Sequence, residues 1–490
     1  MKKLIVPAII ALTVLPLISH SGHVDYDKYF GEKTMRIDYH HVWIGNKEVI
    51  SLDKIYKEGR WAGSRKILTD PFNYGKYKIK IFTSNGEKLL FSKGFDSYFG
   101  EYITTGAATK GVKKAYHESA IIPYPLSKIL FKIDKVYPAG NSETLYKKVI
   151  DPLSIDILEE KPDSDIKVFT VHKGGDPSVC LDLVVVAEGY TSKQEEKVKN
   201  DLEKVKNIFF SQEPYKTNRD KINIFGLFKP SNESGSDEPR IKSYKNTSVD
   251  TTFNSLNSAR YLLTESNKKL RDITSAAPCD SILIMVNSSR YGGGGIYNGF
   301  CAFTIDNAQA PYLLLHEFGH SFGGLADEYY SSSVAYNDFY PKGIEPTEPN
   351  ITSLSDHKGP KWDNLIQKNT KIPTLWHKEK FDEMNNEFGK MRKKLNLRIE
   401  KIKLSGASDK EIKEAESAIE KLMIKKEKEN KLFFKKTGKL GVVGAFKGAG
   451  YASEGLYRPM IDCIMFTIGK KPYCKVCENA ILQMVKRYSN

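Results

Sequence analysis

Short alternations of apolar and polar residues fill the first third of the chain. Met35-Arg36-Ile37-Asp38-Tyr39 and Tyr77-Lys78-Ile79-Lys80-Ile81-Phe82 repeat with a period of two, which on a strand gathers the apolar residues on one face. Turn signals separate such runs: Gly45-Asn46, Asn73-Tyr74-Gly75 and Ser84-Asn85-Gly86. Strands at this spacing predict an N-terminal β-sandwich-like domain over residues 24–150. The stretch Asp151 to Asp165 carries Pro and Asp and reads as a linker. From residue 166 the pattern changes. Leu181 to Val186 is an apolar run of strand length, Lys193 to Phe210 has helical spacing, and Ile222–Phe228 and Cys279–Val286 read as further strands. Strands alternating with helices predict an α/β domain over residues 166–490.

One segment of that domain departs from the alternation. Over residues 378–436, Phe381, Met384, Phe388, Met391, Leu395 and Ile402 recur at near-heptad spacing among Lys and Glu. Ser405-Gly406-Ala407 interrupts the run, Ser408-x-x-Glu411 offers a capping box, and Ile412, Ala415, Ile419 and Leu422 resume the spacing. The expectation is an antiparallel α-helical hairpin inserted into the α/β domain, a solvated spacer or a partner-binding arm.

The 490 residues are too many for one ordinary core. The net charge of +15 comes from lysines dispersed among acids, with no basic stripe interleaved with aromatics, so no nucleic-acid partner is expected. Lys2 and Lys3 precede an apolar run from Leu4 to about Ile18, and Ser19-His20-Ser21 supplies small residues at a cleavage site. Residues 1–21 are therefore expected to be a signal peptide. The run is short for a span, and no lipobox cysteine follows it. The expected location is secreted, periplasmic or cell-surface, with no stable membrane span after cleavage. Of six cysteines, Cys474-x-x-Cys477 could be half a zinc site, a redox pair or a local disulfide. No second such pair completes a four-cysteine zinc site, so a structural role is expected with the pairing left open.

The strongest chemical signal is His316-Glu317-Phe318-Gly319-His320, entered from the apolar Leu313-Leu314-Leu315. Residues four apart share a helix face, so His316 and His320 can hold one Zn2+ while Glu317 serves as general base toward water. A third protein ligand is required. On a continuing helix Asp327 would lie ~10 Å along the axis from His320, too far to share a metal. A break at Gly323-Gly324 would bring it back. The run resembles H-E-x-x-H-x-x-G-x-x-H/D of the metzincins, with one extra residue before the last ligand; the resemblance implies Asp327 as the third ligand, with Glu328 the alternative. Metzincins also place a methionine turn beneath the metal, and Tyr457-Arg458-Pro459-Met460-Ile461-Asp462-Cys463-Ile464-Met465 is similar, with Met465 as the implied floor. Tyr457 is a candidate oxyanion donor, and Ile296 to Thr304, after four glycines, reads as an edge strand beside the active helix or as part of a loop. His40, His41, His117, His172, His357 and His377 stand apart from this constellation.

The run from His316 to Tyr329 resembles the active-site signature of the IgA-peptidase (M64) family of metallopeptidases. Glu188-Gly189-Tyr190-Thr191, Glu233-Ser234-Gly235, Gly448-Ala449-Gly450-Tyr451 and Gly455-Leu456-Tyr457-Arg458-Pro459 are also similar. Trp61-Ala62-Gly63-Ser64-Arg65 and Gly94-Phe95 resemble the β-domain that precedes the peptidase in many members. The resemblance implies a metzincin-like α/β zincin core and a zinc endopeptidase acting on a protein or peptide, a glycoprotein among the candidates. Two other readings remain: a surface-binding protein with an inactive peptidase domain, and a zinc amidase of cell-wall peptides.

Overall fold

The computed structural model describes residues 24–137, 140–330, 340–355 and 359–489. The expected signal peptide lies outside the described residues, as does His357. Among the described residues no helix is long and apolar enough to cross a membrane.

The N-terminal part is built on two sheets. One has the order β5-β1-β2-β8, from β1 (Phe30–Trp43), β2 (Glu48–Arg60), β5 (Lys114–Pro125) and β8 (Ile157–Leu158). The other has the order β4-β3-β6-β7, from β3 (Tyr77–Thr83), β4 (Leu89–Phe95), β6 (Ile129–Val136) and β7 (Ser142–Ile150). The alternating residues meet between them: Met35, Ile37 and Tyr39 pack in one cluster with Tyr77, Ile79 and Ile81. β8 falls inside the stretch read as a linker and pairs parallel with β2, which ties that stretch to the sheet.

The alternation misleads on one point. Arg36 and Asp38, the polar members of the alternation, are as buried as their apolar neighbours. The second domain covers that face. Arg36 bonds Glu58 at 2.8 Å and, across the boundary, Asp272 at 2.9 Å, while Asp38 lies 3.2 Å from its Nε. A buried guanidinium is tolerated where carboxylates surround it.

The second domain carries a six-stranded sheet with the order β13-β14-β12-β10-β11-β9. These are β9 (Lys167–His172), β10 (Leu181–Glu188), β11 (Ile222–Phe228), β12 (Ser281–Val286), β13 (Gly293–Ile296) and β14 (Phe300–Thr304). The central four run parallel and both edges antiparallel. Every residue of β10 is buried, as expected of a central parallel strand covered on both faces. The helix Glu195–Phe210 packs on the sheet through Val198, Leu202, Val205 and Phe209, with Gly226 leaving room for the Leu202 methyls.

Farther along, two long helices, Lys378–Leu404 and Asp409–Lys436, are joined by a short turn and pack together. The Ser408–Glu411 capping box starts the second of them. Phe381 anchors the pair in the main core against Phe433, Phe434 and Phe466. Farther out, Met391, expected in the seam, is exposed, while Leu395 and Ile402 are half-buried. Arg392 stacks over Tyr291, and Lys403 reaches Glu238, so the first long helix lies back on the sheet domain. The chain closes with the hairpin β15 (Phe446–Ala449) and β16 (Ala452–Arg458) and the helix Lys475–Tyr488.

Candidate metal centre and cleft

The helix that carries the two histidines, Ala310–Ser321, is buried along nearly its whole length. Leu313, Leu314 and Phe318 press into the main core, which leaves His316, Glu317 and His320 facing a cleft. Gly319 lies on the side toward the C-terminal loop. A Cβ there would stand 2.9 Å from the Met465 sulfur, so glycine is what allows the helix to rest on Met465.

The helix ends where the paired glycines stand. Gly324 takes φ +61°, a conformation that suits glycine, and the chain doubles back. Leu325 N–H returns to the Gly319 carbonyl at 3.1 Å, and the Leu325 carbonyl meets His320 Nδ1 at 2.6 Å. The turn that stops the helix thus also orients one imidazole. The loop above Met465 orients the other, because the Ile464 carbonyl lies 3.1 Å from His316 Nδ1. An imidazole whose Nδ1–H is given to a carbonyl presents an Nε2 lone pair.

Those lone pairs converge. His316 Nε2 and His320 Nε2 are 3.3 Å apart, and Asp327 Oδ1 lies 3.1 Å from the first and 3.2 Å from the second. Asp327 Oδ1 is fully buried with no hydrogen-bond donor, while Oδ2 accepts from Tyr451. Burial alone would keep His320 neutral. The carboxylates of Asp327 and Glu317 outweigh it and push its pKa up to about 9. Burial likewise disfavours charge on Asp327, but the two imidazoles hold its carboxyl well below the usual range. The pocket is built for positive charge at the point where three donor atoms meet, and this fits a metal ion. Burial raises the Glu317 pKa, against the pull of both histidines.

The alternative ligand stands elsewhere. Glu328 points to the opposite side of the chain, where its Oε1 is 3.1 Å from Cys477 Sγ.

The cleft floor and walls come from distant segments. Gly293 and Gly295 of β13 border it; a Cβ at Gly293 would meet Glu317 Oε1 at 2.8 Å. The edge strand is therefore the glycine run itself, and Phe300–Thr304 is the next strand inward, not the edge that the sequence suggested. The outer side of Gly293 is already satisfied by Arg260 O and Leu262 N, which closes that end of the edge. Arg260, Tyr291, Tyr329 and Tyr451 line the remainder, with Arg260 donating to the Tyr329 hydroxyl at 3.2 Å. Tyr457 does not line the cleft; it pairs with Lys447 and Thr352 in β16. Sequence reasoning missed Arg260 and Tyr451. The Gly448-Ala449-Gly450-Tyr451 stretch carried the signal for Tyr451, since its glycines shape a hairpin turn whose Gly450 N–H bonds the Asp327 carbonyl at 2.9 Å. Tyr74, Asp96 and Glu101 reach the cleft from the N-terminal domain.

Two imidazoles, a desolvated carboxylate and a neighbouring buried glutamate make up a centre suited to hydrolysis. The comparisons agree in class: the family model described as IgA peptidase M64 matches residues 169–485, and that of the peptidase M64 N-terminus matches residues 25–147. The chain belongs to the IgA peptidase M64 family. No curated protein matches it.

Proposed function

We propose that this protein is a secreted zinc endopeptidase of metzincin-like architecture, with Glu317 as its general base. The observation that carries the reading is the meeting of His316 Nε2, His320 Nε2 and the donor-less Asp327 Oδ1 within 3.3 Å of one another. These three residues would hold zinc, which would supply Lewis acidity toward a water and a scissile carbonyl. Glu317 follows His316 on the helix and borders the cleft beside β13, where it can take a proton from the attacking water and deliver it to the leaving amine. Arg260, a cation walled into the cleft beside Tyr329, is placed to meet negative charge on the substrate carbonyl oxygen.

The substrate in this reading is a protein or peptide, including glycoproteins. Residues 1–21 are the signal peptide that exports it, residues 24–150 a β-sandwich domain whose Tyr74, Asp96 and Glu101 form one cleft wall, and residues 166–490 the peptidase. The insertion over 378–436 is a helical hairpin that borders the rim through Arg392 and Tyr291. Metal content and cleavage of a fluorogenic protein substrate test the proposal in wild type and Glu317→Ala. The variant is expected to keep its zinc and lose cleavage. Undiminished cleavage would overturn the mechanism.

A further inference from the structure

A second cluster of ligand-type side chains lies just behind the first. Glu328, Cys463, Cys474 and Cys477 are all buried, and one ligand atom from each falls within 4.8 Å of every other. No disulfide joins any of the six cysteines. Cys463 Sγ and Cys477 Sγ are 3.8 Å apart, Cys474 Sγ is 3.8 Å from Glu328 Oε1, and Cys477 Sγ is 3.1 Å from the same oxygen. A tetrahedral zinc with bonds of about 2.3 Å to sulfur and about 2.0 Å to oxygen sets its sulfurs about 3.8 Å apart and sulfur to oxygen about 3.5 Å. A sulfur–sulfur bond needs about 2.0 Å. The cluster has the dimensions of a coordination shell.

Three further features favour a cation held by anionic ligands there. Backbone N–H groups of Met465 and Cys474 point at Cys463 Sγ, at 3.4 and 3.2 Å. Cys474 is the N-cap of the helix Lys475–Tyr488 and Cys477 sits in its first turn, where the helix dipole stabilises a thiolate. Glu328 Oε2 is buried with no hydrogen-bond partner, an arrangement that costs free energy unless a cation faces the carboxylate.

We propose that Glu328, Cys463, Cys474 and Cys477 bind a second, structural zinc ion. Three sulfurs and one carboxylate select a thiophilic divalent ion over calcium or magnesium. Such an ion would staple the segment that delivers Asp327 to the loop that carries Met465. Those two segments already touch where Glu328 N–H donates to the Met465 carbonyl at 2.8 Å. All four ligands come from the protein interior, so the site is a closed one, without the open position a catalytic zinc needs.

The test uses the full chain with the first centre removed, so that it stands apart from the peptidase reading. His316→Ala/His320→Ala protein, desalted and analysed for metal, is expected to retain one zinc per chain. Adding Cys474→Ser/Cys477→Ser should remove it. Exchange of zinc for cobalt in the histidine variant should produce a thiolate-to-cobalt charge-transfer band, which imidazole and carboxylate ligands cannot give. All six cysteines should alkylate after denaturation without reductant. A histidine variant free of metal, a cobalt form lacking the band, or a pair of cysteines locked against alkylation would each overturn the proposal.

Discussion

Asp327 and Glu328 are neighbours in the chain, yet their carboxylates serve different clusters: Asp327 Oδ1 lies 3.1 Å from His316 Nε2, and Glu328 Oε1 lies 3.1 Å from Cys477 Sγ. The backbone between them is pinned on both sides, by Gly450 N–H on the Asp327 carbonyl and by the Met465 carbonyl on Glu328 N–H. Each carboxylate is thereby held to its own side.

This separation makes the two residues distinguishable by substitution. Asp327→Ala should weaken metal binding at the histidines by more than the ~10–100-fold that loss of a supporting partner costs. Glu328→Gln should leave the affinity of the histidine centre within that range. Competition against a zinc chelator measures both.

Gly293 tests whether the position of Glu317 matters apart from the metal. A methyl at Gly293 would come within 2.8 Å of Glu317 Oε1 and displace it. Gly293→Ala is expected to lower kcat by about 100-fold, the scale of a 1 Å misplacement, with zinc content and KM nearly unchanged. Steady-state kinetics with metal analysis check this.

In the N-terminal domain, His41 is buried between Glu118, 3.0 Å from Nδ1, and Glu48, 2.7 Å from Nε2. Burial opposes its charge, but the two glutamates prevail and raise its pKa to about 9. The folded state therefore binds this proton more tightly than the unfolded chain, whose histidine titrates near about 6.5. The stabilisation is complete below pH ~6.5 and is lost as pH rises to ~9; its full size is on the order of 3 kcal/mol. Urea denaturation at several pH values should show this decline, and His41→Gln should flatten it.

Arg487 and Asp70 form a buried ion pair across the domain boundary at 3.2 Å. Arg487→Ala would leave Asp70 with the Phe72 N–H, at 3.0 Å, and, as a counter-charge, the more distant Lys78, at 3.7 Å. A loss of ~3–5 kcal/mol is expected, as for other buried pairs deprived of one partner. The unfolding midpoint in denaturant measures it.

Much of this was legible along the chain because it depends on local spacing. The period-two runs located β1 and β3, the i, i+4 histidines located the active-site helix, and Gly323-Gly324 located its end. Local spacing could not choose between Asp327 and Glu328, since both follow the same bend; partners remote in sequence, Tyr451 and Cys477, decide where each side chain goes. The same limit hid the second cluster. Cys474-x-x-Cys477 lacked a visible other half because the remaining groups, Cys463 and Glu328, share no motif with it and meet only after the sheet and C-terminal helix have packed. The burial of Arg36 was not legible either, because periodicity along one strand carries no record of a second domain covering its other face.

Anomalous diffraction at the zinc absorption edge, from crystals of the full-length protein, tests the central claim most directly. The account predicts a peak bounded by His316 Nε2, His320 Nε2 and the Asp327 carboxylate, with the Glu317 carboxylate beside it but not coordinating. No density at that point, or a peak coordinated by Glu328 in place of Asp327, would contradict it.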